Sequence, residues 1–363
     1  MTKSLQPFTD RRAARGLDRA SRSPYNSNMR RIVWVVGGLA VALAAAYSGY
    51  WYTVAGKIRD RMAPWVASRQ AEGVTIKWDS VAIGGFPLAI RLRFANFDAA
   101  AAKPLPYVMS AADISFWSRP WDLRQWHFSA PDGARVEFLL ASAGFDAKAL
   151  DGTVTVPLQP GGTADIEAQG VDGRGAAQGI GLDSVHVAVQ QPPTPPKTDH
   201  DPALLVNFDI KGARLRAAPA PFGTTIQDIS ATATIDGTMA PAPLPQMLDA
   251  WRRAGGAIEL ESAHLAWDKL DIDANGTLAL DDDLQPLAAL TATVRGQNEI
   301  VDAAVGSGAM PEGDAGLARA VLAMISQQGD DGRKQIRLPI SAQNRRLYLG
   351  PAAIARIPTI DWR

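Results

Sequence analysis

The chain contains no cysteine, which excludes disulfides, thiolate nucleophiles, haem attachment and cysteine-ligated zinc or iron–sulfur centres. Histidine is scarce. The four present, His127, His186, His200 and His264, include no pair at the i, i+4 spacing of a helical metal site, and His186 and His264 stand among alternating strand residues. No metal and no cofactor is expected. Catalytic signatures are missing as well, with no G-x-S-x-G elbow and no S-x-x-K placed at a helix start. Gly173-Arg174-Gly175 with Gly179 and Gly181 has the wrong spacing for a dinucleotide loop, and Asp281-Asp282-Asp283 lacks the ligand spacing of a calcium loop. The expectation is a protein that is not an enzyme. Aromatic residues make up only 7% of the chain, so alanine and other small side chains must supply much of the core.

Net charge is also missing, because 37 basic residues balance 37 acidic ones, but the balance conceals an asymmetry. Residues 1–31 hold eight basic side chains (Lys3, Arg11, Arg12, Arg15, Arg19, Arg22, Arg30, Arg31) against Asp10 and Asp18, which leaves a net charge of −6 from Ile32 onward. Between Arg31 and Lys57 runs an uncharged stretch, Ile32 to Gly56, long enough to span a bilayer at about 1.5 Å per helical residue. Trp34 near its start and Tyr47, Tyr50, Trp51 and Tyr52 near its far end suit the two membrane interfaces. Short basic flanks stay cytoplasmic, which predicts the amino terminus inside and the bulk of the chain exported. The competing reading is a cleaved signal with Ala44-Ala45-Ala46 as its processing site, and it exports the same residues. A bilayer is thus the first expected partner, through residues 32–56. An exported part with no strongly basic face makes nucleic acid an unexpected one.

Beyond the run, Ile58, Met62, Trp65 and Val66 form the stripe of an amphipathic helix. From Val74 the apolar period changes to two. Val74, Ile76 and Trp78 alternate with polar residues, as do Leu88, Ile90, Leu92 and Phe94, and the pattern returns through Leu278 and Leu280 to Ile336, Leu338 and Ile340. The fold class is therefore mainly β with a few helices (α+β): a long antiparallel meander behind one transmembrane helix, forming either a curled trough or two related β halves. Asp151-Gly152-Thr153, Asp236-Gly237-Thr238 and Asn275-Gly276-Thr277 are expected turns. Two helical stripes interrupt the sheet, Leu244 to Trp251 and Leu317 to Ile325, the second with Asp314 as its expected cap. Pro192, Pro193, Pro195, Pro196 and Pro202 keep residues 191–202 out of any central strand. The expected organisation is a disordered basic tail over 1–31, the span over 32–56, a first β-rich part over 57–190, a loop or linker over 191–202 and a second β-rich part over 203–363.

Trp117, Arg119, Trp121, Arg124 and Trp126 crowd a short segment, and tryptophan with arginine suits a partner-binding patch. The competing reading is two strands about an Arg119-Pro120 turn with the tryptophans in the core.

Gly85-Phe86-Pro87 before an alternating strand, the anchor with its following helix, Asn275-Gly276-Thr277-Leu278-Ala279-Leu280-Asp281 with Gln285-Pro286, and Leu347-Tyr348-Leu349-Gly350-Pro351 together resemble a family of membrane-anchored exported proteins of alphaproteobacteria, domain of unknown function 2125. The resemblance implies residence in the inner membrane facing the periplasm and no established activity. The last two segments are also similar to parts of AsmA-like envelope proteins, whose β grooves are associated with lipid handling. The expected function is support of envelope or lipid homeostasis by an apolar ligand sheltered on the sheet, with Leu88, Ile90, Leu92, Phe94, Leu278 and Leu280 as the ligand-binding residues. The alternative is a scaffold that binds an envelope protein through the tryptophan–arginine patch, and a periplasmic hydrolase ranks last.

Overall fold

The computed structural model describes residues 25–362 apart from 103–105, 140, 156–159, 219, 240–241, 309, 330–331 and 351. The expected disordered tail lies outside the described residues up to residue 24. The chain divides into two units, Met1–Tyr52 and Thr53–Arg363.

Helix α1, Tyr25–Ala71, contains the uncharged run and the amphipathic stripe that follows it. It is long and apolar enough to cross a membrane. Arg69 in the last turn complements the helix dipole, and Gly73, at φ +86°, lets the chain leave toward the first strand. Pro64 lies inside the helix and removes one backbone donor there.

About 50% of the described residues are strand and 24% helix, so the fold is mainly β. The strands are β1 (Val74–Lys77), β2 (Ser80–Gly84), β3 (Ile90–Ala101), β4 (Tyr107–Arg119), β5 (Asp122–Ala130), β6 (Ala134–Phe138), β7 (Ala143–Ala147), β8 (Ala149–Thr155), β9 (Thr163–Gly175), β10 (Gly181–Gln190), β11 (Pro202–Arg214) and β12 (Thr225–Asp236). After helix α2 (Leu244–Arg253) come β13 (Ile258–Trp267), β14 (Leu270–Leu280) and β15 (Pro286–Arg295). Helices α3 (Gln297–Gly306) and α4 (Glu312–Ile325) precede β16 (Gln327–Gln328), β17 (Lys334–Gln343), β18 (Arg346–Leu349) and β19 (Ala352–Arg356).

Each long strand pairs antiparallel with the next, from β3 through β4, β5, β8 and β9 to β15, then β17 and β18. β6 and β7 extend the rows of β5 and β8 at one end. Among the described residues β1 and β2 pair only with β3, and β19 only with β18, so these strands form the two edges of the sheet. The proline-rich stretch from Gln191 joins β10 to β11, two strands that pair along their length.

Three local expectations need correction. Gly152 and Gly276 lie inside strands β8 and β14, not in turns. At Gly152 a Cβ would come within 2.5 Å of the Phe128 ring and 2.3 Å of the Asp165 carbonyl oxygen, so the missing side chain makes room for an aromatic neighbour. At Gly276, with φ +145°, it would come within 2.2 Å of the Ala289 carbonyl oxygen. Only Gly237 ends a strand as expected, after β12. Asp314 does not cap α4: Pro311 holds that position without a side-chain bond, and Asp314 sits in the first turn, where its charge suits the dipole. Helix α3 follows no apolar stripe that the sequence advertised.

Candidate functional site

Residues directly opposite one another in an antiparallel pair share a face of the sheet. Followed from partner to partner, this rule connects Leu92, Phe116, Phe128, Gly152, Ile166, Val187, Phe208, Ala231, Ala263, Ala274, Ala292 and Leu338. One unbroken apolar row thus crosses twelve strands, from β3 to β17. At about 4.8 Å per strand it runs for roughly 50 Å. A second row beside it connects Trp126, Val154, Ala164, Val189, Val206, Ala233, Leu260, Gly276, Leu290, Ile340 and Leu349. β13 carries an extra residue, Glu261, between its contributions to the two rows, and this bulge keeps Leu260 and Ala263 on the same face.

The covering of this face is uneven. At the β3 end, Ile58 and Met62 of α1 pack on a core of Leu92, Phe94, Ala111, Ile114, Ala130 and Ala134. At the β17 end, Leu322 of α4 packs on Leu270, Ala292, Val294 and Ile336. The cluster between them, around Val171, Leu182, Ala213 and Ile226, draws on strands and loops, with no helical residue among those described. Ile166, in that middle stretch, remains 39% exposed.

A cavity of about 380 Å³ opens under α1, lined by Ile58, Met62, Trp65, Trp78, Leu92, Phe94, Phe116, Trp126 and their apolar neighbours. That volume lies within the usual range for ligand pockets, about 300–1,000 Å³. Its one charged lining residue is Arg61, exposed and without a carboxylate partner among the described residues.

The six expected ligand residues separate. Ile90, Leu92 and Phe94 are buried on the apolar face of β3, and Leu92 and Phe94 line the cavity. Leu88 lies in the turn before the strand and is 69% exposed. Leu278 and Leu280 are half-buried on the same apolar face of β14, nine strand spacings from β3, or about 43 Å.

The tryptophan–arginine segment also divides. Trp126 lines the cavity, its indole N–H donating to the Leu123 carbonyl at 2.9 Å. Trp117 is on the opposite face, stacked on His127 with ring centroids 3.9 Å apart. Arg119, Trp121 and Arg124 are exposed at the tip of the β4–β5 hairpin. The buried Ser118 hydroxyl, 2.6 Å from the Asp122 carbonyl and 2.7 Å from that of Gln125, fixes this tip by donating to one or the other.

The opposite face carries a polar row in the same register: Arg93, Ser115, Ser129, Asp151, Glu167, His186, Asp209, Ser230, His264, Asp273, Thr293 and Arg337. Its densest part joins His264 to Asp273 at 2.9 Å, and Arg295 to Asp271 at 2.9 Å and to Asp273 at 2.7 Å. His264, Asp271 and Asp273 are close enough to share a cation. Arg295 and Arg333 already supply positive charge to those carboxylates, so the group reads as an ion-pair network. Burial pushes the Asp273 carboxyl up, but hydrogen bonds from Arg295 and His264 outweigh it and hold the group below its ordinary value. The hydrogen bond to Asp165, at 3.0 Å, raises His186 above its ordinary value.

Spacing along the chain could not reveal the histidine–acid pairs, because the partners meet across strands. One signal was available: a tight turn at Asp268-Lys269 places Trp267 opposite Leu270, and counting back places His264 opposite Asp273.

Residues 51–358 match the model of a family described as an uncharacterised protein conserved in bacteria. No curated protein matches the chain at a significant level.

Proposed function

The chain belongs to the bacterial family of domain of unknown function 2125, and since that family brings no activity with it, we propose a function from the sheet: the protein holds acyl chains on its apolar face. The observation that carries this reading is the unbroken apolar row from Leu92 to Leu338, whose middle cluster includes no helical residue among those described. A half-open apolar strip of this length is unfavourable in water. Each methylene laid on it contributes about 0.8 kcal/mol, so an acyl chain of ordinary length gains roughly 10 kcal/mol before the cost of association.

Arg61 at the rim of the cavity under α1 gives the ligand a polarity. Its unpaired guanidinium suits the carboxylate or phosphate of an anionic amphiphile whose tail lies against Trp78, Phe94 and Phe116. The apolar run of α1 anchors the protein in the inner membrane with its amino terminus in the cytoplasm, an orientation the basic flank supports, and the sheet works in the periplasm in support of envelope lipid homeostasis.

Native mass spectrometry of the full-length protein released from detergent tests the proposal. Wild type should retain phospholipid or fatty acid at a defined stoichiometry. Ile166→Glu, at an exposed position in the middle of the row, should lose it while unfolding at the wild-type temperature. Equal retention by this variant would place the lipid on the span alone and defeat the reading.

A further inference from the structure

Two turns at one end of the first strands carry exposed apolar side chains. Leu88 in the β2–β3 turn is 69% exposed, Trp121 in the β4–β5 turn 60% and Phe86 47%. The two turns are neighbours, because Ile90 pairs with Ser118 at the start of β3 and the end of β4. Around them Arg91, Arg119 and Arg124 are exposed and have no carboxylate partner among the described residues. This basic, apolar tip belongs to a part of the chain that is otherwise net acidic.

The direction of the tip follows from the second unit alone. Glu72 and Gly73 are the only residues between α1 and β1, and Ile58 and Met62 pack on a cluster that includes Trp78, Val81 and Ile83. The helix therefore runs back alongside β1 and β2. From Ala71 to Thr53 it covers about 27 Å, and from Val74 to Gly84 the strands cover about 33 Å. Thr53, where this unit begins and the chain comes from its apolar run, is thus level with the Phe86–Leu88 and Trp121 turns.

We propose that this tip is a membrane-contact surface: Leu88, Trp121 and Phe86 enter the interface of the bilayer that holds the anchor, and Arg91, Arg119 and Arg124 bind anionic headgroups beside them. Tryptophan suits the interface because its ring is apolar and its N–H stays wet. Each arginine close to an anionic surface adds attraction that salt screens. The surface is independent of the apolar row, and its test does not depend on ligand retention.

The absence of cysteine makes the test direct. Leu88→Cys, Trp121→Cys and Leu139→Cys are labelled separately with an environment-sensitive fluorophore in the full-length protein, reconstituted into vesicles of phosphatidylethanolamine and phosphatidylglycerol. Leu139, 51% exposed, follows the β6 residue Phe138, which lies beside Tyr107 at the other end of β4, and serves as the control. Labels at 88 and 121 should be quenched several-fold more strongly by nitroxide-bearing lipid than the label at 139, and they should resist aqueous iodide. Arg119→Glu with Arg124→Glu should weaken that quenching. Quenching at 88 and 121 no stronger than at 139 would overturn the proposal. So would protection from iodide without lipid quenching, which would mean that protein covers the tip.

Discussion

Leu92 and Arg93 are neighbours in the chain, yet one heads an apolar row across twelve strands and the other a row of serines, acids and histidines across the same twelve. The two faces solve different problems. The polar face is stabilised by water and by cross-strand pairs such as Arg93 with Asp113, Arg135 with Asp146 and Lys211 with Asp228, each exposed on at least one side. Such pairs contribute little individually, about 0–1 kcal/mol. The apolar face must be removed from water, and among the described clusters on it helical residues contribute at its two ends. Between those ends the middle cluster is built from strands and loops, and Ile166 beside it remains 39% exposed.

The comparison can be broken hardest in β15, where one residue separates the faces. Ala292 is fully buried in the apolar row, so Ala292→Asp should cost about 4 kcal/mol or more and abolish cooperative unfolding. Thr291→Asp, on the polar face, should stay within about 0.5 kcal/mol of wild type in the same chemical denaturation. Similar losses from both substitutions would mean that the faces are not distinct.

Smaller effects sharpen it. Gly152→Ala should cost about 1–3 kcal/mol, because the added Cβ meets the Phe128 ring and a backbone carbonyl that cannot both retreat. Combining it with Phe128→Leu should recover part of that loss, and strict additivity in the double-mutant cycle would rule the ring out as the cause. On the polar face, Arg295→Met should cost about 1–3 kcal/mol by leaving Asp271 and Asp273 without their nearest cation.

The smallest effects depend on pH and have opposite signs. His186 is raised by its bond to Asp165, so its contribution is fully present below about pH 6.5 and lost as pH rises through the higher folded value. Its ring is 40% exposed, which limits the contribution to less than about 1 kcal/mol. The difference in melting temperature between wild type and His186→Gln should therefore shrink as pH rises from 6 to 9. Asp273 is lowered, so its contribution is present above the unfolded value near 3.8 and lost as pH falls through the lower folded one. Asp273→Asn should then matter less under acid conditions than at neutral pH. A difference that grows with pH for His186 would contradict its pairing with Asp165.

Much of this was legible in the chain. The uncharged stretch between Arg31 and Lys57 marked a helix of membrane-crossing length, and the period-two alternation through Ile90, Leu92 and Phe94 marked strands with one apolar face. The stripe at Leu244 to Trp251 marked α2, whose Trp251 is buried with its N–H donating to the Asp236 carbonyl at 2.6 Å. Other features were misread for identifiable reasons. Asp151-Gly152 and Asn275-Gly276 have turn composition, but a glycine within a strand can equally make room for an opposing ring or backbone. The positions of Trp117, Trp121 and Trp126 were not legible from their closeness in sequence, because alternation and a hairpin tip send them to three different places.

By itself, the sequence determined that the chain has one apolar span and that its strands have two unlike faces. Both follow from local rules: helix rise against bilayer thickness, and side chains that alternate by steric necessity. Only the tertiary structure decided which alternating residues meet, because register depends on turn lengths and on a bulge at Glu261, and a shift of one residue would have mixed the faces. It is that register, held across twelve strands, that turns scattered leucines, valines and alanines into one continuous apolar surface.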